Sequence, residues 1–153
     1  MSEAGEILVF GESLPGRMRV HRPSAYALVK NEHEEFAIVR TRRGLFLPGG
    51  GIESGETGAQ AVVRETREEC GLLVFPKREL GRAVQLVHTR GKEITFEKTS
   101  AFWWAELVKE RVADPEPGNE LVWLLAVEAR DRMFHESQAW ALKQWGDGSG
   151  GSS

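Results

Sequence analysis

The chain has 153 residues, of which 41% are hydrophobic and 28% charged, enough for one domain with a real core and too apolar for an intrinsically disordered chain. A formal net charge of −3 excludes a general nucleic-acid binder, which would carry a strong basic excess. No apolar run reaches the roughly 18 residues of a membrane span, and a lone cysteine, Cys70, excludes an intrachain disulfide. The first residues, Met1 to Glu6, carry neither a basic nor a long apolar stretch, so a secretory signal is not expected and a cytoplasmic location is.

Taken in chain order, Ala25 to Val29 and Phe36 to Val39 are two apolar runs separated by the polar, turn-like Lys30 to Glu35, a strand–turn–strand pattern. Leu45 to Leu47 is a third strand, stopped by Pro48. Gly49, Gly50 and Gly51 follow and predict a loop where backbone bends tightly or approaches something closely. A helix is expected over Thr57 to Cys70, with Thr57 as N-cap and Gly71 as the stop. Leu72 to Phe75, Ala83 to His88 and Ile94 to Leu107 predict further strands, the last two joined by a hairpin turn at Thr89 to Lys92. Leu121 to Val127 predicts a strand or a strand-to-helix junction. Glu128 to Trp145 predicts a terminal helix with Ala139, Trp140, Leu142 and Trp145 on its apolar face. Residues 146–153, Gly-Asp-Gly-Ser-Gly-Gly-Ser-Ser, predict a flexible tail behind a single domain of residues 1–145. The order of elements predicts a layered α+β or α/β domain, a mixed sheet with the central helix packed on it.

The central helix carries the chemistry. At 100° per residue, Glu69 lies about 40° to one side of Glu65 and Glu68 about 60° to the other, so all three carboxylates share one arc. Ala59, Val62, Val63, Thr66 and Cys70 fall on the adjoining arc and predict the face toward the sheet. Three like charges at this spacing repel. A divalent cation offsets that repulsion directly, and carboxylate oxygens are the ligands magnesium prefers. Arg64 can brace Glu68 across one helical turn. Upstream, Arg40, Arg42 and Arg43 form a basic group whose guanidinium forks suit phosphate oxygens.

Written out, the segment is Gly50-x5-Glu56-x7-Arg64-Glu65-Thr66-x-Glu68-Glu69-x-Gly71-Leu72. It resembles the Nudix box, with seven fixed positions matched and one departure, Thr66, where an aliphatic residue is usual. Chance agreement is on the order of one in a million. The box spans 23 of the 153 residues. The resemblance implies an α/β/α sandwich around a central mixed sheet, and a pyrophosphohydrolase using Mg²⁺ or Mn²⁺. Its substrate would be a small nucleoside diphosphate linked to another moiety, such as a nucleoside triphosphate, a nucleotide sugar or a dinucleoside polyphosphate. By position, Glu65 and Glu69 match the main metal ligands and Glu68 a further ligand or water-orienting group. Glu56 matches a glutamate that binds metal or pairs with Arg64, and Gly49 matches a carbonyl ligand before the box glycine, Gly50. The attacking water needs a general base. Box members Glu68 and Glu69 are candidates, as are Glu116 and Glu120 on a late loop, with Glu120 preferred.

Other features are bland. Trp103 and Trp104 are neighbours on a predicted strand and point to opposite faces, so at most one meets a nucleotide, while Trp140 and Trp145 pack the last helix. The four histidines lack zinc spacing, and Cys70 reads as core. Two rivals remain. A catalytically weak sensing or binding domain would usually lack box glutamates, and an isoprenoid diphosphate isomerase would need a catalytic cysteine outside the box. The window Val87 to Arg90 holds neither the proline of ADP-ribose hydrolases nor the tyrosine of dinucleoside polyphosphate hydrolases, so substrate is not selected. No nucleic-acid or membrane partner is expected, and a homodimer is left open.

Overall fold

The computed structural model describes residues 6–91 and 93–147, so the expected tail lies almost wholly outside it, as does Lys92 of the hairpin turn. The strands are β1 (Leu8–Phe10), β2 (Met18–Val29), β3 (Glu35–Thr41), β4 (Gly44–Phe46), β5 (Gly49–Gly51), β6 (Leu73–His88), β7 (Ile94–Lys109) and β8 (Glu120–Leu125). The helices are α1 (Gly58–Cys70), α2 (Ala126–Ala129) and α3 (Glu136–Trp145).

A five-stranded sheet runs in the order β1-β6-β7-β2-β5. It is mixed: β1 and β6 are parallel, as are β2 and β7, while β6–β7 and β2–β5 are antiparallel. A second sheet, β4-β3-β8, is antiparallel. Strand β2 explains the layering. Its period-2 alternation sends Ala25, Ala27 and Val29 into a core with Ala61, Val62 and Cys70 of α1. The alternate residues Tyr26 and Leu28 enter a second core with Ala141 and Leu142 of α3. Both faces are buried over Ala25–Val29, which is why this half of the strand is an unbroken apolar run. The result is the expected sandwich, helix on sheet on helix. No helix among the described residues is long and apolar enough to cross a membrane.

Four expectations change. The glycine segment is strand β5 rather than a loop, and it pairs with Ser24 to Tyr26 of β2. Gly49 adopts φ +147°, and a Cβ there would lie 2.2 Å from the Ala25 carbonyl oxygen, so the close approach that the glycines implied is to the neighbouring strand. The runs at 72–75 and 83–88 belong to one long strand, β6, whose polar middle is accommodated by register shifts around Pro76 to Gly81. The terminal helix is broken. Between α2 and α3 the chain bridges Met133 to Leu45, and the Phe134 N–H donates to the Leu45 carbonyl at 2.9 Å. Strand-like pairing with β4 thus displaces helix there. Finally, β1 was not legible: three residues with Leu8 and Val9 more than half exposed carry little alternation signal.

Buried amides fasten α3 to the sheet. Gln138, 1% exposed, accepts the Leu47 N–H at 2.7 Å, and Gln85 accepts the Ser137 N–H at 2.9 Å. Each satisfies a backbone donor that would otherwise be costly to bury.

Candidate active site

Helix α1 is fixed at both ends. Thr57 and Gln60 form a reciprocal capping box, Gln60 N to Thr57 Oγ1 at 3.1 Å and Thr57 N to Gln60 Oε1 at 2.9 Å. Gly71 closes the helix in the left-handed region at φ 70°, its N–H donating to the Arg67 carbonyl at 2.9 Å. Ala61, Val62, Thr66 and Cys70 face the sheet, while the expected Ala59 and Val63 are only partly covered. Burial, with a smaller push from Glu69, raises the Cys70 thiol to about 12, which suits a core residue rather than a nucleophile.

Arg64 is the hub of the acidic face. Its guanidinium holds Glu56 through two bonds, Nε to Oε2 at 2.7 Å and Nη2 to Oε1 at 2.9 Å, and also donates to the Gly51 carbonyl at 3.1 Å. The Arg64 hydrogen bond, helped by the Glu53 N–H, holds Glu56 well below the usual carboxylate range, at about 2. The expected contact to Glu68 is present at 3.4 Å, and Glu65 lies 3.3 Å from the same guanidinium nitrogen.

Glu65 and Glu69 are different. Burial raises the Glu65 carboxyl, with Glu68 adding to the effect and Arg64 opposing it. Burial also pushes Glu69 up to about 8; the Gly49 N–H, donating to its Oε1 at 3.0 Å, opposes this, and Glu65 and Glu116 reinforce it. A Cβ on Gly50 would lie 2.6 Å from Glu65 Oε2, so β5 must be backbone alone where it meets this pair. Two half-buried carboxylates in contact need either a shared proton or a cation between them. Their hard oxygen donors, with the neighbouring Gly49 backbone, suit Mg²⁺, which takes one or two protein carboxylates and fills its remaining positions with water and substrate oxygens. Among the described residues no three acidic, histidine or cysteine side chains converge as a ready ligand set, because Arg64 draws Glu56 and Glu68 to itself. The donor set that fits is therefore the Glu65–Glu69 pair.

The remaining candidates are distributed unevenly. Glu120 opens β8 opposite Arg40 of β3, and the two form an exposed ion pair at 2.8 Å. Glu116 instead sits near Glu69: its N–H donates to the Glu68 carbonyl at 2.9 Å, and its charge acts on the Glu69 carboxyl. Arg42 and Arg43 form the exposed turn between β3 and β4. Only Arg43 reaches a cavity of about 300 Å³ that opens beside Glu69, Gly49 and Gly50. Tyr26, Phe46, Lys98, Asn119 and His135 also line it.

Sequence reading passed over Lys98, Asn119 and His135. Lys98 had a signal: it shares a β7 face with Phe102 and Trp104, an odd place for a charge unless a polar cavity lies there. Asn119 and His135 lie outside the strands and helices and had none. Trp103 and Trp104 do lie on opposite faces, in the α1 and α3 cores respectively, and neither lines this cavity. Trp140 and Trp145 pack on Phe102 with ring centroids 6.1 and 6.0 Å away.

Comparison with known proteins agrees with this architecture. The model of the NUDIX domain matches residues 20–145. The chain is 33% identical over 116 residues, 64% of its own length and 90% of the relative's, to the 8-oxo-dGTP diphosphatase of Escherichia coli K12. Over 63 residues, 40% of this chain and 34% of the relative, it is 40% identical to an ADP-ribose pyrophosphatase of Methanocaldococcus jannaschii. The solved structure of the E. coli dihydroneopterin triphosphate pyrophosphohydrolase matches with a TM-score of 0.63 at 18% identity, over 82% of this chain and 97% of that one, a likeness of fold. With the box carboxylates gathered on a capped helix and the domain match running through most of the chain, this protein belongs to the Nudix family.

Proposed function

We propose that this Nudix pyrophosphohydrolase cleaves a phosphoanhydride bond of a nucleoside triphosphate in a Mg²⁺-dependent reaction, with Mn²⁺ as a substitute, and releases a nucleoside monophosphate. The observation that carries the reading is the half-buried Glu65–Glu69 pair, closed against the side-chain-free Gly49–Gly50 backbone at the edge of a cavity of about 300 Å³. Similarity to an 8-oxo-dGTP diphosphatase over nine-tenths of that protein's length supports reading a triphosphate ahead of a nucleotide sugar or a dinucleoside polyphosphate.

In this reading Glu65 and Glu69 would hold the metal, with the Gly49 carbonyl, Glu68 and Glu56 as further donors. Bound Mg²⁺ would supply charge neutralisation on the diphosphate and a more acidic water. Arg64 gathers and orients the carboxylates, and Arg43 grips phosphate oxygens. Of the two late-loop carboxylates, Glu116 rather than Glu120 is placed to take a proton near Glu69, since Glu120 is engaged by Arg40. Arg40 and Arg42 are assigned no phosphate contact. Residues 1–145 form the catalytic unit, the substrate is a small molecule, the location is cytoplasmic, and a homodimer is left open.

The experiment is a screen of nucleoside triphosphates, including an oxidised purine triphosphate, against nucleotide sugars and dinucleoside polyphosphates with Mg²⁺. Monophosphate release from a triphosphate above all others is the expected result. Metal and nucleotide binding without turnover on any compound would instead mark a sensing domain.

A further inference from the structure

The cavity beside the box has two electrical poles. At one, Glu69 responds to Gly49, Glu65 and Glu116. At the other stand Arg43, on the β3–β4 turn, and Lys98, on β7, with His135 at the start of α3. Among the described residues neither cation has an acidic partner. Lys98 Nζ lies over the Tyr26 ring at 5.9 Å, and the Arg43 guanidinium lies over Phe46 and Phe134 at 5.5 and 4.9 Å. The aromatic supports are themselves packed together: Phe46 and Phe134 are 5.2 Å apart, and His135 lies 5.5 and 5.0 Å from them. A guanidinium resting on two rings is held in place without its charge being cancelled.

The field of the two cations converges on one point. Burial, then Lys98, then Arg43 press the His135 imidazole down to about 4, so the ring stays neutral at physiological pH and offers a hydrogen bond rather than a third charge. A concave site with two uncompensated cations, a neutral imidazole and the Asn119 amide is built for an anion with several oxygens.

We infer that Lys98 and Arg43 select substrates that carry a further anionic phosphoryl group beyond the hydrolysed phosphoanhydride, and reject those that carry a neutral sugar there. This rests on the hydrolase reading and narrows it. Lys98, the more covered of the two cations, is a specificity residue: a neutral sugar would leave it and Arg43 in the cavity without an anionic partner, which counts against that substrate.

The test compares a nucleoside triphosphate with the nucleoside-diphosphate hexose of the same base, for the wild type, Lys98→Ala, Lys98→Arg and Arg43→Ala. The expected result is a wild-type preference for the triphosphate in kcat/KM that falls about tenfold or more in each alanine variant and is largely kept in Lys98→Arg, in line with the strength of charge-assisted hydrogen bonds. Equal loss on both substrates would show that these cations grip the shared diphosphate, and would overturn the inference. Calorimetry with inorganic tripolyphosphate and no added metal separates this outcome from failure of the hydrolase reading. Weaker binding by Lys98→Ala than by wild type supports the anion pole even where no substrate turns over, and indistinguishable binding contradicts it.

Discussion

Arg64 and Thr66 sit two residues apart, on opposite sides of α1, and show opposite ways of treating a polar group. Arg64 satisfies its donors on Glu56, Gly51, Glu65 and Glu68, so its charge organises the acidic face. Thr66 is fully buried, and its hydroxyl has no hydrogen-bond partner among the described residues. Its place on the packing face was legible from helical periodicity, and so was the oddity of a threonine where the Nudix box usually has an aliphatic. The missing partner was not, because it depends on what the sheet presents. Thr66→Val removes an unsatisfied buried oxygen at nearly constant volume, so it is expected to stabilise the fold by about 1 kcal/mol. That is a rise of about 2–4 °C in Tm by calorimetry. A lower Tm would mean that the hydroxyl has a partner after all.

At the scale of elements, α1 and β5 form one device. The capping box and the Gly71 stop set the register of the helix, and β5 supplies backbone where side chains would collide with it. The caps were legible in Thr57 and Gly71, because capping is local chemistry. The three glycines announced a close approach, but its direction was hidden, since pairing with β2 is a long-range fact. The same limit explains the late loop. No local pattern separates Glu116 from Glu120, whereas the fold gives one to Glu69 and the other to Arg40. Two glycine substitutions divide the device into its parts. Gly50→Ala places a methyl 2.6 Å from Glu65 Oε2, so kcat/KM is expected to fall at least about tenfold while the urea midpoint moves little. Gly71→Ala forces a Cβ to 2.2 Å from the Ala113 carbonyl at positive φ, and is expected to lower stability by more than about 1 kcal/mol in urea unfolding.

Across the whole molecule, the two cores on either face of β2 bring α1 and the start of α3 to one cavity, with Glu69 contributed from one side and His135 from the other. This is why the sandwich was readable from element order, while the cavity was not: its lining comes from six separate parts of the chain. The arrangement has a consequence for pH. The folded His135 titrates near 4 against an ordinary 6.5, so the unfolded chain takes up a proton first as pH falls. The stability contributed by the neutral ring is complete above pH 6.5 and is lost as pH falls toward about 4. The raised carboxyl of Glu69 acts in the opposite sense, so the two must be separated by difference. Thermal unfolding of wild type and His135→Gln from pH 7.5 to 4.5 is expected to show the gap between them closing as pH falls; a gap that stays constant would place the ring in solvent.

The central claim is that the Glu65–Glu69 pair holds the metal that hydrolysis needs. Its most direct measurement is nucleoside monophosphate release from a nucleoside triphosphate over a Mg²⁺ titration, for wild type and Glu69→Gln at equal, verified folding. Activity is expected to vanish without Mg²⁺, and kcat to be at least about 100-fold lower in the variant at saturating substrate. Activity independent of Mg²⁺, or a variant as fast as wild type, would contradict it.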